Sequence, residues 1–164
     1  MSALQLGPAI RVAVSAKIEY PRSSVYIFDM DTGFAPKVLV IGVDPDMLDP
    51  DDWGVTAEQN AMVKRLIAEG EAALSAAGYA VEMVLIAIDA PLDDALAPRL
   101  KAEAWDCVVV GGGIRKPPEL LDLFERVVNV VHRHAPTAAI AFNSRPDDTL
   151  DAVRRWIDAG DRDH

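Results

Sequence analysis

The fold is decided by residues 106–115, DCVVVGGGIR, where a short apolar run meets three consecutive glycines. The run Cys107–Val110 is apolar without alternation, which is typical of a strand covered on both faces of a parallel sheet. Pro117 and Pro118 suit a helix entry, because the first amides of a helix have no intrahelical acceptor to lose. We therefore expect a strand, a glycine turn and a helix N-terminus, the parts of an anion-binding corner in an α/β sheet.

The same alternation of strand and helix signals recurs from Lys37 onward. A capping box, Thr56–Gln59, opens a helix that Gly78 ends. Further strands are predicted at 38–43, 81–88 and 138–142, and further helices at 92–100, 118–134 and from Asp147 or Asp148 through Ile157. The apolar faces of the first, third and last of these helices predict the following buried residues: Val63, Leu66, Ile67, Leu74; Leu121, Phe124, Val127, Val128, Val131; Val153, Trp156, Ile157.

Four strands that alternate with helices predict an α/β fold, a three-layer parallel sheet with right-handed crossovers. For a chain of this length the expected strand order is 2-1-3-4, which is flavodoxin-like or Rossmann-like. The loops that follow parallel strands meet at one edge, and the order reverses between the first and third strands. A ligand is expected at that edge, with the loop after Val43 facing the glycine turn.

The chain divides into three predicted segments. Residues 1–36 are an N-terminal extension, 37–160 a single α/β domain and 161–164 a tail that frays. Two interpretations of the extension stay open. It forms a β-hairpin of Ile10–Val14 and Ser24–Phe28 with a turn near 20–23, or Met30 is the true start of the protein.

Composition excludes several classes of partner. The chain has 164 residues, 51% of them hydrophobic, and a net charge of −10. This acidity argues against binding to nucleic acids, which needs basic residues on the phosphates, and against anionic membrane surfaces. The single cysteine, Cys107, allows neither an internal disulfide nor a cysteine metal site. With no secretory signal and no membrane-spanning run, the predicted location is cytoplasmic.

The predicted site lies at the carboxyl edge of the sheet and takes a small polar or anionic metabolite. The glycines are expected to supply backbone amides and two arginines to supply positive charge. The asparagine and serine would orient the ligand, and the aspartates would accept hydrogen bonds from its hydroxyls. The tryptophan would stack on the ligand or hold its own loop against the domain. The predicted ligand-binding residues are Gly111, Gly112, Gly113, Arg115, Asn143, Ser144, Arg145, Asp44, Asp46 and Trp53. No cofactor is named, because Lys116 stands where a dinucleotide motif needs its third glycine.

Two features of the site have simpler interpretations. The glycines fit a tight strand-to-helix turn that needs positive φ. The acidic loop carries Asp44, Asp46, Asp49, Asp51 and Asp52, but its spacing is not that of an EF-hand. Turn and cap chemistry explains most of these aspartates, so no metal-ligating residues are assigned, while a Mg²⁺ or Ca²⁺ ion held by the loop stays open as the alternative.

The predicted sheet resembles receiver domains and flavodoxins in architecture only. A receiver carries its phosphoacceptor aspartate at the end of the third strand, where this chain has Gly111. The run from Val109 to Arg115, together with Phe142-Asn143, resembles a family of small stand-alone bacterial α/β proteins, a resemblance that implies no particular activity. The alternative function is a non-enzymatic, receiver-like interaction module that forms a homodimer.

Overall fold

The computed structural model describes residues 35–158 and, in the N-terminal segment, two short strands. Lys17–Tyr20 (β1) and Ser23–Tyr26 (β2) pair antiparallel, with Tyr20 opposite Ser23. An antiparallel pair of strands is therefore present in the extension, and its second strand overlaps the predicted Ser24–Phe28. Its first strand lies later than the predicted Ile10–Val14, which falls outside the described residues, as does the tail 161–164.

The remaining elements follow the predicted alternation. They are β3 (Lys37–Val43), α1 (Pro50–Trp53), α2 (Ala57–Ala76), β4 (Ala80–Ile86), α3 (Leu92–Ala102), β5 (Cys107–Val110), α4 (Gly112–Arg115), α5 (Leu121–His134), β6 (Ala139–Phe142) and α6 (Thr149–Arg154). Single 3-10 turns lie at Pro45–Met47, Pro118–Leu120 and Pro146–Asp148. The four strands β3 to β6 form one parallel sheet in the order β4-β3-β5-β6, which confirms the predicted 2-1-3-4 arrangement.

Each face of this sheet carries its own apolar core. Leu39 and Ile41 of β3 pack on the side of α3 and α5, while Val38 and Val40 pack on the side of α2 and α6. All four residues of β5 are buried, because this strand is central and covered on both faces. The prediction from the continuous apolar run, a strand covered on both faces of a parallel sheet, is therefore confirmed.

Three of the predicted helix contacts are corrected by the structure. Leu121 is 58% exposed, because α5 starts at this residue after a 3-10 turn, and Leu123 and Val130 are buried on the inner face. Trp156 is 59% exposed, because α6 ends at Arg154 and the helical spacing no longer applies. Val63 is also exposed rather than buried. Among the described residues, no helix is both long and apolar enough to cross a membrane.

Candidate ligand pocket at the carboxyl end of the sheet

The glycine turn is shaped by close backbone approach and not by unusual dihedral angles. Gly111 is extended, with φ −66° and ψ 150°, and α4 begins directly after it. Within the described residues, positive φ occurs only at Gly54 and Gly78, so the predicted positive-φ turn is wrong. A Cβ on Gly112 would lie 2.9 Å from the carbonyl oxygen of Ser144. Glycine is therefore required here because the loop after β6 presses against the turn.

Asn143 joins that loop to the glycine turn. Its side-chain Oδ1 accepts from the Gly112 amide at 2.8 Å, and its Nδ2 donates to Thr149 Oγ1 at 2.8 Å. Thr149 in turn donates to the carbonyl of Pro146 at 2.6 Å. Asn143 is only 4% exposed, so these bonds satisfy a polar group that water does not reach. Both ends of its amide are thus held by protein groups.

Two polar groups near the Asn143 side chain have no protein partner among the described residues. The Gly113 amide lies in the first turn of α4, where backbone amides have no acceptor within the helix. Gly113 lines the cavity described below, and a Cβ built on it would meet nothing within 4 Å. Ser144 donates its backbone amide to Asp148 Oδ1 at 2.9 Å, whereas its hydroxyl makes no hydrogen bond to the described residues.

A cavity of about 190 Å³ opens between α2 and the carboxyl ends of β3, β4 and β5. Its floor is apolar, and the glycine turn and the loop after β6 form its polar end. The floor consists of Val40, Ile41, Gly42, Val43, Val63, Ile67, Met83 and Leu85, and the polar end of Gly111, Gly112, Gly113, Asn143, Ser144, Arg145, Pro146 and Thr149. Six of the ten predicted site residues therefore line one cavity.

The two predicted arginines occupy different surroundings. Arg145 lines the cavity, but its guanidinium forms a two-pronged pair with Asp147 at 3.0 and 3.2 Å. Arg115 lies outside the cavity wall, where it donates to the Asn143 carbonyl at 3.0 Å and its Cζ stands 6.0 Å from the centre of the Phe142 ring. Because Phe142 packs with the α3 and α5 core, Arg115 belongs to the other face of the sheet.

The acidic loop does not take part in this cavity. Asp44 caps a 3-10 turn by accepting from the Asp46 amide at 2.9 Å, and Asp46 pairs with Lys64 of α2. Asp49 caps α1 in the same way. Trp53 packs against the core under α3 and α5. The structure therefore does not bring these side chains together with the glycine turn, and among the described residues no group of three potential metal ligands occurs.

The cavity floor contains residues that the sequence pattern assigned to the core. Val63 and Ile67 lie on the apolar stripe of α2, and Leu85 is 38% exposed near the end of an edge strand. Gly70 occupies a position on the same stripe and marks the contact of α2 with the loop after β6. A Cβ there would lie 2.2 Å from the carbonyl oxygen of Pro146. The helix thus touches the loop at Gly70, while the cavity opens beside Val63 and Ile67.

Cys107 is a core residue and not a nucleophile. Burial raises the pKa of its thiol to about 12, and the negative charge of Asp106 acts in the same direction. The thiol is fully buried in the core under α2 and α6. It is therefore protonated at neutral pH and has no access to the cavity.

The fold and the pocket define a class of protein: a three-layer α/β domain with a parallel sheet in the order 2-1-3-4 and an apolar cavity at its carboxyl end. No protein-family model and no curated protein sequence matches the chain.

Proposed function

We propose that the protein binds a small molecule that has a compact apolar body and one polar head group. The observation that carries this proposal is the cavity of about 190 Å³, with an apolar floor and a polar end. Parallel α/β sheets bind ligands outside the carboxyl ends of their strands, and pockets with a few polar groups on an apolar wall are typical of such sites.

The size of the cavity limits the ligand. An engineered apolar cavity of about 150 Å³ is known to accept benzene. The present cavity, of about 190 Å³, therefore suits a body of about six to ten non-hydrogen atoms. Burial of such a body against Val63, Ile67 and Met83 supplies the main favourable free energy of binding.

The polar end favours a carboxylate or hydroxyl over a multiply charged phosphate. The Gly113 amide offers a donor, and the Ser144 hydroxyl offers a donor and an acceptor. The positive charge of Arg145 is largely neutralised by Asp147. This narrows the ligand expected from the sequence, a small polar or anionic metabolite, to one whose head group carries at most a single charge.

We also propose binding without catalysis at this site. Arg145 is the sole titratable side chain that lines the cavity in the part of the chain described. General acid–base catalysis needs a group that exchanges a proton near neutral pH, and a guanidinium does not do so. The cytoplasmic location that the sequence predicts belongs to this proposal as well.

The proposal is tested by filling the cavity from the helix side. Val63 lines the cavity and Met62, its neighbour on α2, does not. We expect benzoate or benzyl alcohol at tenfold over its Kd to raise the Tm of the full chain by about 3–5 °C. Val63→Phe should abolish this shift, because the ring occupies the ligand space. The matched variant Met62→Phe should retain it.

Two results contradict the proposal. One is a wild-type Tm that neither probe raises at millimolar concentration. The other is a Val63→Phe protein that is folded and responds to the probes as Met62→Phe does, since binding would then take place away from the cavity.

A further inference from the structure

The edge strand β4 exposes a row of backbone hydrogen-bonding groups. Ala80 donates its amide to the Pro36 carbonyl at 2.9 Å, and the Ile86 carbonyl accepts from the Asp44 amide at 2.9 Å. Successive residues of a strand alternate in the direction of these groups. The even-numbered residues of β4 therefore bond to β3, and the N–H and C=O groups of Val81, Met83 and Leu85 face outward.

The two edges of the sheet differ. Within residues 35–158, no strand pairs with the outer edge of β4, which is seven residues long. The opposite edge strand, β6, has four residues, and its outward Phe142 carbonyl accepts from Arg155 at 2.7 Å. An edge that is short and covered by a charged side chain resists pairing with another strand. The β6 edge has this protection and the β4 edge does not.

The chemistry of the β4 edge suits contact with an identical strand. Its sequence, AVEMVLI, contains neither lysine nor proline, the residues that usually block an edge. Its one charge, Glu82, is paired with Arg99 of α3. The edge is thus locally neutral although the chain has a net charge of −10. Leu85 and, on α2, Met62 and Val63 add exposed apolar surface.

We propose that two copies of the chain pair antiparallel through β4, about a two-fold axis at Met83, to form one continuous sheet. In this register Met83 lies opposite Met83 of the second copy, and Val81 lies opposite its Leu85. Each outward N–H and C=O then meets a partner, as in hydrogen-bonded antiparallel pairs. Glu82 lies opposite Val84 of the second copy, so the two carboxylates do not face each other.

Apolar contact completes this interface. A pair of strand edges buries too little surface for a stable dimer, which needs about 1,000 Å² or more. Met62 is 55% exposed, and Val63 and Leu85 are each 38% exposed. Leu85 of β4 lines the same cavity as Val63 of α2, so two copies joined at β4 bring these apolar side chains together from both sides. A strand of unrelated sequence would not supply the matching apolar side chains.

The first test removes one outward amide. The Val81 N–H makes no bond to β3, so Val81→Pro leaves the ladder intact and blocks only the outer edge. We expect the full chain to have twice its monomer mass of 17.7 kDa by light scattering at micromolar concentration. Val81→Pro should raise the dimer dissociation constant at least about tenfold. Val81→Thr, which keeps the amide, should leave it unchanged. A wild-type chain that is monomeric at 100 µM overturns the proposal.

The second test measures proximity and does not depend on the proline variant folding. Met83→Cys places a thiol at the proposed axis, while the native Cys107 is buried and does not react. A short bismaleimide should convert Met83→Cys to a covalent dimer. Trp156→Cys, at an exposed position on the α6 side, should give at least about tenfold less dimer. Equal cross-linking of both variants, or none at Met83→Cys, overturns the proposal. Equal cross-linking would mean that dimers form through another surface, and no cross-linking at Met83→Cys would mean that another segment covers the β4 edge.

Discussion

At the scale of single residues, the shape of the pocket depends on Asn143. Its side chain bonds the glycine turn on one side and Thr149 on the other, so it fixes the distance between the glycine turn and the start of α6. The sequence predicts Asn143 at this edge as a residue that orients a ligand, which stays a prediction, and it does not predict that the side chain joins the glycine turn to Thr149. Its partners lie in other segments of the chain, and local sequence does not specify such contacts.

Loss of this side chain should cost stability. In Asn143→Ala, the Gly112 amide and the Thr149 hydroxyl lose their buried partner. We expect the free energy of unfolding to fall by about 2–4 kcal/mol, because the unsatisfied Gly112 amide costs about 1–3 kcal/mol and the lost bond to Thr149, which keeps its bond to Pro146, about 1 kcal/mol more. Asn129→Ala removes an exposed amide on α5 and should change stability by less than about 0.5 kcal/mol. Urea denaturation of both variants measures the difference, and similar losses would contradict the role assigned to Asn143.

Cys107 should give the protein a pH-dependent stability at alkaline pH. Burial raises its pKa from 9.0 to about 12. Above pH 9 the unfolded chain therefore releases this proton while the folded chain keeps it. The unfolded state is then stabilised relative to the folded state. The stability contribution is complete below pH 9 and is lost as the pH rises towards 12. Between pH 9 and pH 10, the wild-type free energy of unfolding should fall about 1 kcal/mol more than that of Cys107→Ala. Parallel pH curves would show that the thiol is not buried in this way.

At the scale of elements, α2 makes one unusually close contact with the loop after β6. Gly70 meets the 3-10 turn at Pro146–Asp148, and the helix is less buried at its N-terminal half, where Val63 and Ile67 border the cavity. The capping box and Gly78 predicted the ends of this helix correctly. The spacing of apolar residues identifies the apolar face of a helix. It does not show whether that face packs against the core or borders a cavity, so the cavity beside this helix could not be predicted.

Two glycines in helices should respond oppositely to alanine. Alanine favours helix over glycine by about 1 kcal/mol. At Gly70, however, the new Cβ would lie 2.2 Å from the Pro146 carbonyl oxygen, so Gly70→Ala should destabilise the protein by about 1–3 kcal/mol. Gly113 has open space, so Gly113→Ala should be neutral or stabilising by up to about 1 kcal/mol. Thermal or urea unfolding gives both values, and a stabilised Gly70→Ala would contradict the described packing of α2.

At the scale of the whole molecule, the sheet was predictable and the pocket only in part. The unbroken apolar runs of β3 and β5 indicate central strands, and the alternation with helices fixes the layer architecture. The loops after β5 and β6 meet as expected for parallel strands. The acidic loop was expected there too, but its aspartates are used in caps and in an ion pair with Lys64. Which side chains are free for a ligand depends on such pairings, which spacing alone does not reveal.

The cavity at the carboxyl end of the sheet is proposed to bind a small amphipathic molecule. The most direct measurement is a titration of the ¹⁵N-labelled full chain with benzoate, followed through the backbone amide resonances. We predict saturable shifts at Gly113, Ser144, Val63 and Ile67, which border the cavity, with little change at Asp93 or Asn129 on the far side of the sheet. Shifts confined to other surfaces, or none up to 10 mM benzoate, would show that the cavity does not bind such a molecule.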